Sequence, residues 1–295
     1  MLYWHWINIS MDNNSTYQKK SCKLAVFGDS YADSNTHHAT AKGWAHYLCE
    51  INGWDMNTET LQTGLSGAGN WWAYSQFRKA LNAYNIEHAV FVFTEPGRLP
   101  IAKISDDITP SAAFMGSLYD KILDADLEPQ FGPGASYNEF QVIEMWREVF
   151  TDESHEYDLL HWINITCAKE CIQLAAQHNI KFTVIVPFCA CMVTGNYDNA
   201  VDPDAHLIIA CVDDVSRAEM QLHDPAVDGI DWQGHLLGEP FDTRVNHLNN
   251  HNNKILASLV NQGLQGHKGY IDFSQRDDLD TSPEAIQQYA NILFK

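Results

Sequence analysis

Short runs of consecutive apolar residues alternate along the chain with longer stretches in which apolar side chains recur every three to four positions. Leu24-Ala-Val-Phe27, His88–Thr94 and Phe182–Pro187 are nearly unbroken apolar runs. Such runs predict strands covered on both faces. Glu59–Thr63 and Gly269–Phe273 are shorter strand candidates. The stretches between them carry helical periodicity. Gly43–Ile51 sets Trp44, Tyr47, Leu48 and Ile51 on one stripe, and Asn70–Tyr84 reads as a second helix. Residues 154–178 align Leu159, Leu160, Ile163, Cys167, Cys171, Leu174 and Ala175, while Asn249–Asn261 carries Ile255, Leu256, Leu259 and Val260. Ser282-Pro283-Glu284 opens a last helix, with proline in the first turn, where it is tolerated.

Strands separated by helices predict an α/β fold with a parallel sheet and helices on both faces. Two stretches interrupt the alternation. Residues 95–152 contain Pro96, Pro100, Pro110, Pro129 and Pro133, and residues 194–241 are loop-rich and acidic, with a helix near 203–221. Both read as insertions in a single domain over 22–295, with 1–21 a loose leader. In such folds ligands bind at the carboxyl ends of the strands. Gly28-Asp29-Ser30, Gly67 and Thr94-Glu95 all fall just beyond strand ends.

Charge narrows the partners. The 38 acidic and 18 basic residues leave a net charge of −20. No basic stripe is present to neutralise phosphate or anionic lipid, so nucleic-acid binding and membrane insertion are not expected. The longest apolar stretch, Phe182–Val193, is too short to span a bilayer. The first residues, Met1-Leu-Tyr-Trp-His-Trp-Ile7, lack the basic region of a signal peptide. A cytoplasmic location is therefore expected. Seven cysteines without regular spacing are expected to be buried thiols.

Within this frame one segment stands out. Gly28 permits a tight turn at the end of an apolar strand, and Ser30 is then presented at the sheet edge. A helix starting next would put its hydroxyl near a positive helix end. A serine nucleophile also needs a base. The candidate is His247, in Asp242-Thr-Arg-Val-Asn-His247, with a helix directly behind it.

Gly28-Asp29-Ser30, then Gly64-Leu-Ser66-Gly67-Ala-Gly-Asn70, then a histidine opening the final core helix resemble the SGNH/GDSL hydrolase superfamily over residues 22–262. The resemblance implies a three-layer α/β/α sandwich on a flavodoxin-like five-stranded parallel sheet. It implies hydrolysis of esters without metal or cofactor, on a small-molecule ester or acylated sugar. Ser30 would be the nucleophile and an oxyanion donor, Gly67 a second donor and His247 the base. The family often has aspartate three residues before this histidine. Arg244 stands there, so Asp242 is the candidate to orient His247. The family's third block, Gly-x-Asn-Asp, is replaced by Thr94-Glu95-Pro96-Gly97-Arg98, leaving Asn70 or Arg98 to complete the oxyanion hole. Asp29, Trp71, Glu95 and Arg98 are candidate substrate contacts. Trp71-Trp72 would form an aromatic wall or belong to the core. The altered third block leaves open a weakened enzyme or a carbohydrate-binding relative without catalysis. A metal hydrolase is a further alternative: His247 and His251 are four residues apart, but Leu248 stands where HExxH has Glu.

Overall fold

A computed structural model describes residues 19–33, 42–65, 68–94, 156–188, 201–221 and 245–282. Its strands are β1 (Lys20–Phe27), β2 (Thr60–Gln62), β3 (Tyr84–Val92), β4 (Lys181–Val186), β5 (Leu207–Ala210) and β6 (Gly269–Asp272). Its helices are α1 (Trp44–Asn52), α2 (Asn70–Ala83), α3 (Glu156–Gln177), α4 (Val212–Gln221) and α5 (Asn250–Leu264). The strands form one parallel sheet in the order β2-β1-β3-β4-β5-β6. The first five follow the doubly wound order of flavodoxin-like folds. The chain thus has the α/β fold, with six strands among the described residues rather than five.

Side-chain alternation divides the core. Ala25 and Phe27 of β1 face the layer of α2 and α3, where Phe77, Phe91, Phe93, Ala168 and Cys171 are also buried. Phe27 and Phe91 each stand edge-on to Phe77, at 5.1 and 5.0 Å. Leu24 and Val26 face the opposite layer, where Trp44 and Leu48 of α1 meet Leu256, Leu259 and Val260 of α5. Burying these large side chains stabilises the sandwich by about 1.5–3 kcal/mol each.

Several boundaries differ from the sequence pattern. β1 and β3 begin earlier than their apolar runs, because Lys20–Cys22 pairs with Tyr84–Ile86 in the same register. Residues expected to end a loose leader therefore lie in the sheet. β5 was not expected at all. Its four buried residues, Leu207-Ile-Ile-Ala210, precede α4 so closely that their apolar run merges with the helical pattern. Cys22, Cys49, Cys167 and Cys171 are buried thiols. Cys211, however, is disulfide-bonded, which corrects the all-thiol expectation: spacing along the chain says nothing of which sulfurs a fold brings together. Among the described residues no helix is long and apolar enough to cross a membrane. The insertion 95–152 and the helix expected after Ser282 lie outside the described residues.

Candidate functional site

The site begins where β1 ends. Gly28 has φ +154°, and a Cβ there would sit 2.5 Å from the carbonyl oxygen of Val92 on β3. Only glycine lets the chain turn so close to its neighbour. Asp29 is fully buried. Its Oδ1 accepts the Tyr31 N–H at 3.0 Å, an Asx turn. The Ala32 N–H then bonds the Asp29 carbonyl, and the Asp33 N–H bonds the Ser30 carbonyl. Ser30 thus sits half-buried in two successive tight turns. Residues 28–33 form turns rather than the expected helix start. Asp29 is fully buried and shapes the turn.

The glycine-rich block after β2 is laid on that turn. Thr63 and Leu65 donate their N–H groups to the carbonyls of Val26 and Gly28, at 3.0 and 3.1 Å. Between them, Gly64 packs on the backbone of Ala32 and Asp33 with no room for a Cβ. Gly67 lies outside the described residues, as do Asp242, Glu95 and Arg98.

His247 belongs to a single helical turn, Val245–His247, that precedes α5. Asn246 (φ 53°) and His247 (φ 59°) are both left-handed, a conformation for which asparagine is among the best suited side chains. Asn246 is buried. Its Nδ2 faces the carbonyls of Tyr31 and Asp33 at 2.9 Å each and of Ser30 at 3.4 Å. His247 is half-buried, with its ring centroid 4.7 Å from that of Tyr31. Tyr31 stands edge-on to Phe188 and donates its hydroxyl to Asp213 Oδ1 at 2.6 Å. Burial and the Asp213 charge hold this phenol well above its ordinary pKa, so it stays a neutral donor. The fold therefore brings Ser30 and His247 to one end of the sheet. It does not put His247 and His251 on one helix: α5 starts only at Asn250, and His251 Nε2 donates to the Asp278 carbonyl.

On the other side of the turn, Asn70 opens α2 and is buried. Its Oδ1 accepts the Thr94 N–H at 2.9 Å, and its Nδ2 approaches the Asn164 carbonyl at 3.4 Å. Trp71 is 47% exposed beside Tyr74, whereas Trp72 donates its indole N–H to the Thr63 carbonyl. One of the pair faces solvent and the other braces the glycine-rich block.

Sequence reasoning missed Asn246, Tyr31 and Asp213. Only the asparagine-rich spelling around His247 hinted at the first. The pairing of Tyr31 with Asp213, 182 positions away, left no trace in the sequence.

No family model and no curated protein matches the chain. Among solved structures, one similar to it is a catalytic mutant of Axe2, an acetylxylan esterase from Geobacillus stearothermophilus. That alignment covers 85% of this chain and 97% of the other, at 12% identity and a TM-score of 0.29.

Proposed function

We propose that this chain is a serine ester hydrolase in which Ser30 is the nucleophile and His247 the general base. The observation that carries the reading is the hydrogen bonding of Asn246, which joins the turn of Ser30 to the residue next to His247, 216 positions away.

In this reading His247 takes the Ser30 proton as Oγ attacks the ester carbonyl carbon. The carbonyl electrons move to oxygen, where the N–H groups of Ser30 and Gly67 receive the charge. On collapse, His247 returns its proton to the leaving alkoxide and the acyl group stays on Ser30. Water, deprotonated by His247, then releases the acid and restores the serine. Asp242 would orient the imidazole from outside the described residues. Esters of small acids, including acylated sugars, are the proposed substrates. Exposed Trp71 and Trp162 (47% and 64%) on α2 and α3 fit a sugar ring and also support the second reading, a non-catalytic carbohydrate binder.

Hydrolysis of p-nitrophenyl acetate and labelling of Ser30 by a fluorophosphonate, read by mass spectrometry, test the proposal. Ser30→Ala should lose about 10³-fold or more in rate and all label. Equal rates in wild type and variant, with Ser30 unlabelled, overturn it in favour of the binder.

A further inference from the structure

We propose that Asn246 is a positioning residue: its carboxamide sets the separation and facing of Ser30 and His247. The inference rests on the reading of those two as nucleophile and base.

Three features single out Asn246. First, its Nδ2 meets three carbonyls of one turn, those of Ser30, Tyr31 and Asp33. Three acceptors together fix which end of the amide is nitrogen. Oδ1 is buried without a hydrogen-bond partner, so what the side chain contributes is donation alone. Second, its backbone and that of His247 are both left-handed. Two such residues in succession cost roughly 1–3 kcal/mol each and persist only where surrounding contacts enforce them. Third, both turns are braced from behind, in part by the same residue, Trp44. The Trp44 indole N–H donates to the Tyr31 carbonyl at 2.7 Å. The Trp44 backbone N–H donates to Asn253 Oδ1, whose Nδ2 donates to the Leu248 carbonyl. Behind His247, buried Glu219 accepts the Asn249 N–H at 3.0 Å and Asn252 Nδ2 at 2.7 Å. With both turns held from behind, the Asn246 amide reaches directly from the His247 turn to the carbonyls of the Ser30 turn.

Asn246→Gly removes the donor while keeping a residue that tolerates φ 53° without strain. With p-nitrophenyl acetate well below the melting temperature, kcat should fall about 10- to 10²-fold, since a displacement near 1 Å can cost that much. KM should stay within twofold, and fluorophosphonate labelling of Ser30 should slow with kcat. In a His247→Ala background the same substitution should change the residual rate less than twofold, because Asn246 acts through His247. A wild-type kcat in Asn246→Gly, or the same fold-loss in both backgrounds, overturns the positioning role while leaving the esterase reading intact. A wild type that neither turns over ester nor labels at Ser30 overturns both. As a check needing no variant, the Asn246 side-chain amide protons should exchange slowly by NMR in the intact protein. Exchange at the rate of an exposed asparagine refutes the tie.

Discussion

Replacing Gly64 by alanine tests whether the glycine-rich block and the Ser30 turn act as one piece. A Cβ at Gly64 falls closer than 3.0 Å to the carbonyl carbon and oxygen of Ala32 and to the Asp33 nitrogen. These are backbone atoms, so no side chain can swing aside. Restoring ordinary contact near roughly 3.5 Å requires an opening on the order of 1 Å. The Gly64 side cannot retreat freely, because Thr63 and Leu65 are bonded to β1 and Gly28 on either side of it. The Ala32 side is held by Asn246 on the carbonyls of Tyr31 and Asp33. Overpacking of this kind costs about 1–3 kcal/mol, and losing one hydrogen bond of the clamp adds about 1 kcal/mol. At roughly 2–4 °C per kcal/mol for a chain of this size, Tm should fall by about 4–16 °C. If the turn yields, Ser30 moves with it, and kcat on p-nitrophenyl acetate should fall by as much as about 10²-fold. Gly53→Ala supplies the contrast. A Cβ there meets nothing within 4 Å, but φ is +66°, so alanine costs only the left-handed strain of about 1–2 kcal/mol and leaves kcat unchanged. A Gly64→Ala variant with wild-type Tm and kcat would refute the rigid contact. Equal loss of kcat in the two variants would show that general destabilisation, not displacement of the turn, lowers the rate.

His46, His88 and His206 are each held below the ordinary histidine pKa, chiefly by burial. The unfolded chain then binds their protons more readily, so their stability contribution is complete above about pH 6.5 and is lost as pH falls toward the folded values. NMR titration should find all three below about 6.5. A value at or above it for His88, whose Nδ1 bonds the Lys23 carbonyl, would refute this account. Burial also pushes the thiols of Cys22 and Cys167 up to about 11, that of Cys49 up to about 12, and that of Cys171 well above its usual range. With so little thiolate, none should react with maleimide at pH 8 until the protein unfolds, as mapped by mass spectrometry. Labelling of Cys171 in the native protein would contradict the packing of α3.

The apolar runs of β1, β3 and β4 were legible because a strand covered on both faces has no polar alternation to blur it. Their early starts were not legible. Lys20, Ser21, Tyr84 and Asn85 are polar or half-polar, and only the pairing of one strand's start with the other's keeps them in the sheet. β5 was hidden for a different reason. Four apolar residues are too few to set a period, and Val212 and Val215 continue them into a helix.

Ser30 and His247 were nameable because each sits at a punctuation mark, a glycine after a strand and the approach to a helix. What joins them left no such mark. Asn246 reads as one more asparagine in Asn-His-Leu-Asn-Asn-His-Asn-Asn, a spelling that suggests a solvated turn. In the fold, Asn246, Asn249, Asn252 and Asn253 are all buried: Asn246 donates to the Ser30 turn, Asn253 accepts from Trp44, Asn252 donates to Glu219 and Asn249 caps α5 by accepting the Asn252 N–H. The amide suits this because it carries donors and an acceptor without charge, so it can be buried against backbone carbonyls where lysine or aspartate would be costly. A run of asparagines before a core helix is therefore better judged by what lies opposite it than by its polarity. Here the opposite side is the backbone of the Ser30 turn, and its carbonyls, which no sequence pattern records, decide which of the asparagines matters for the site.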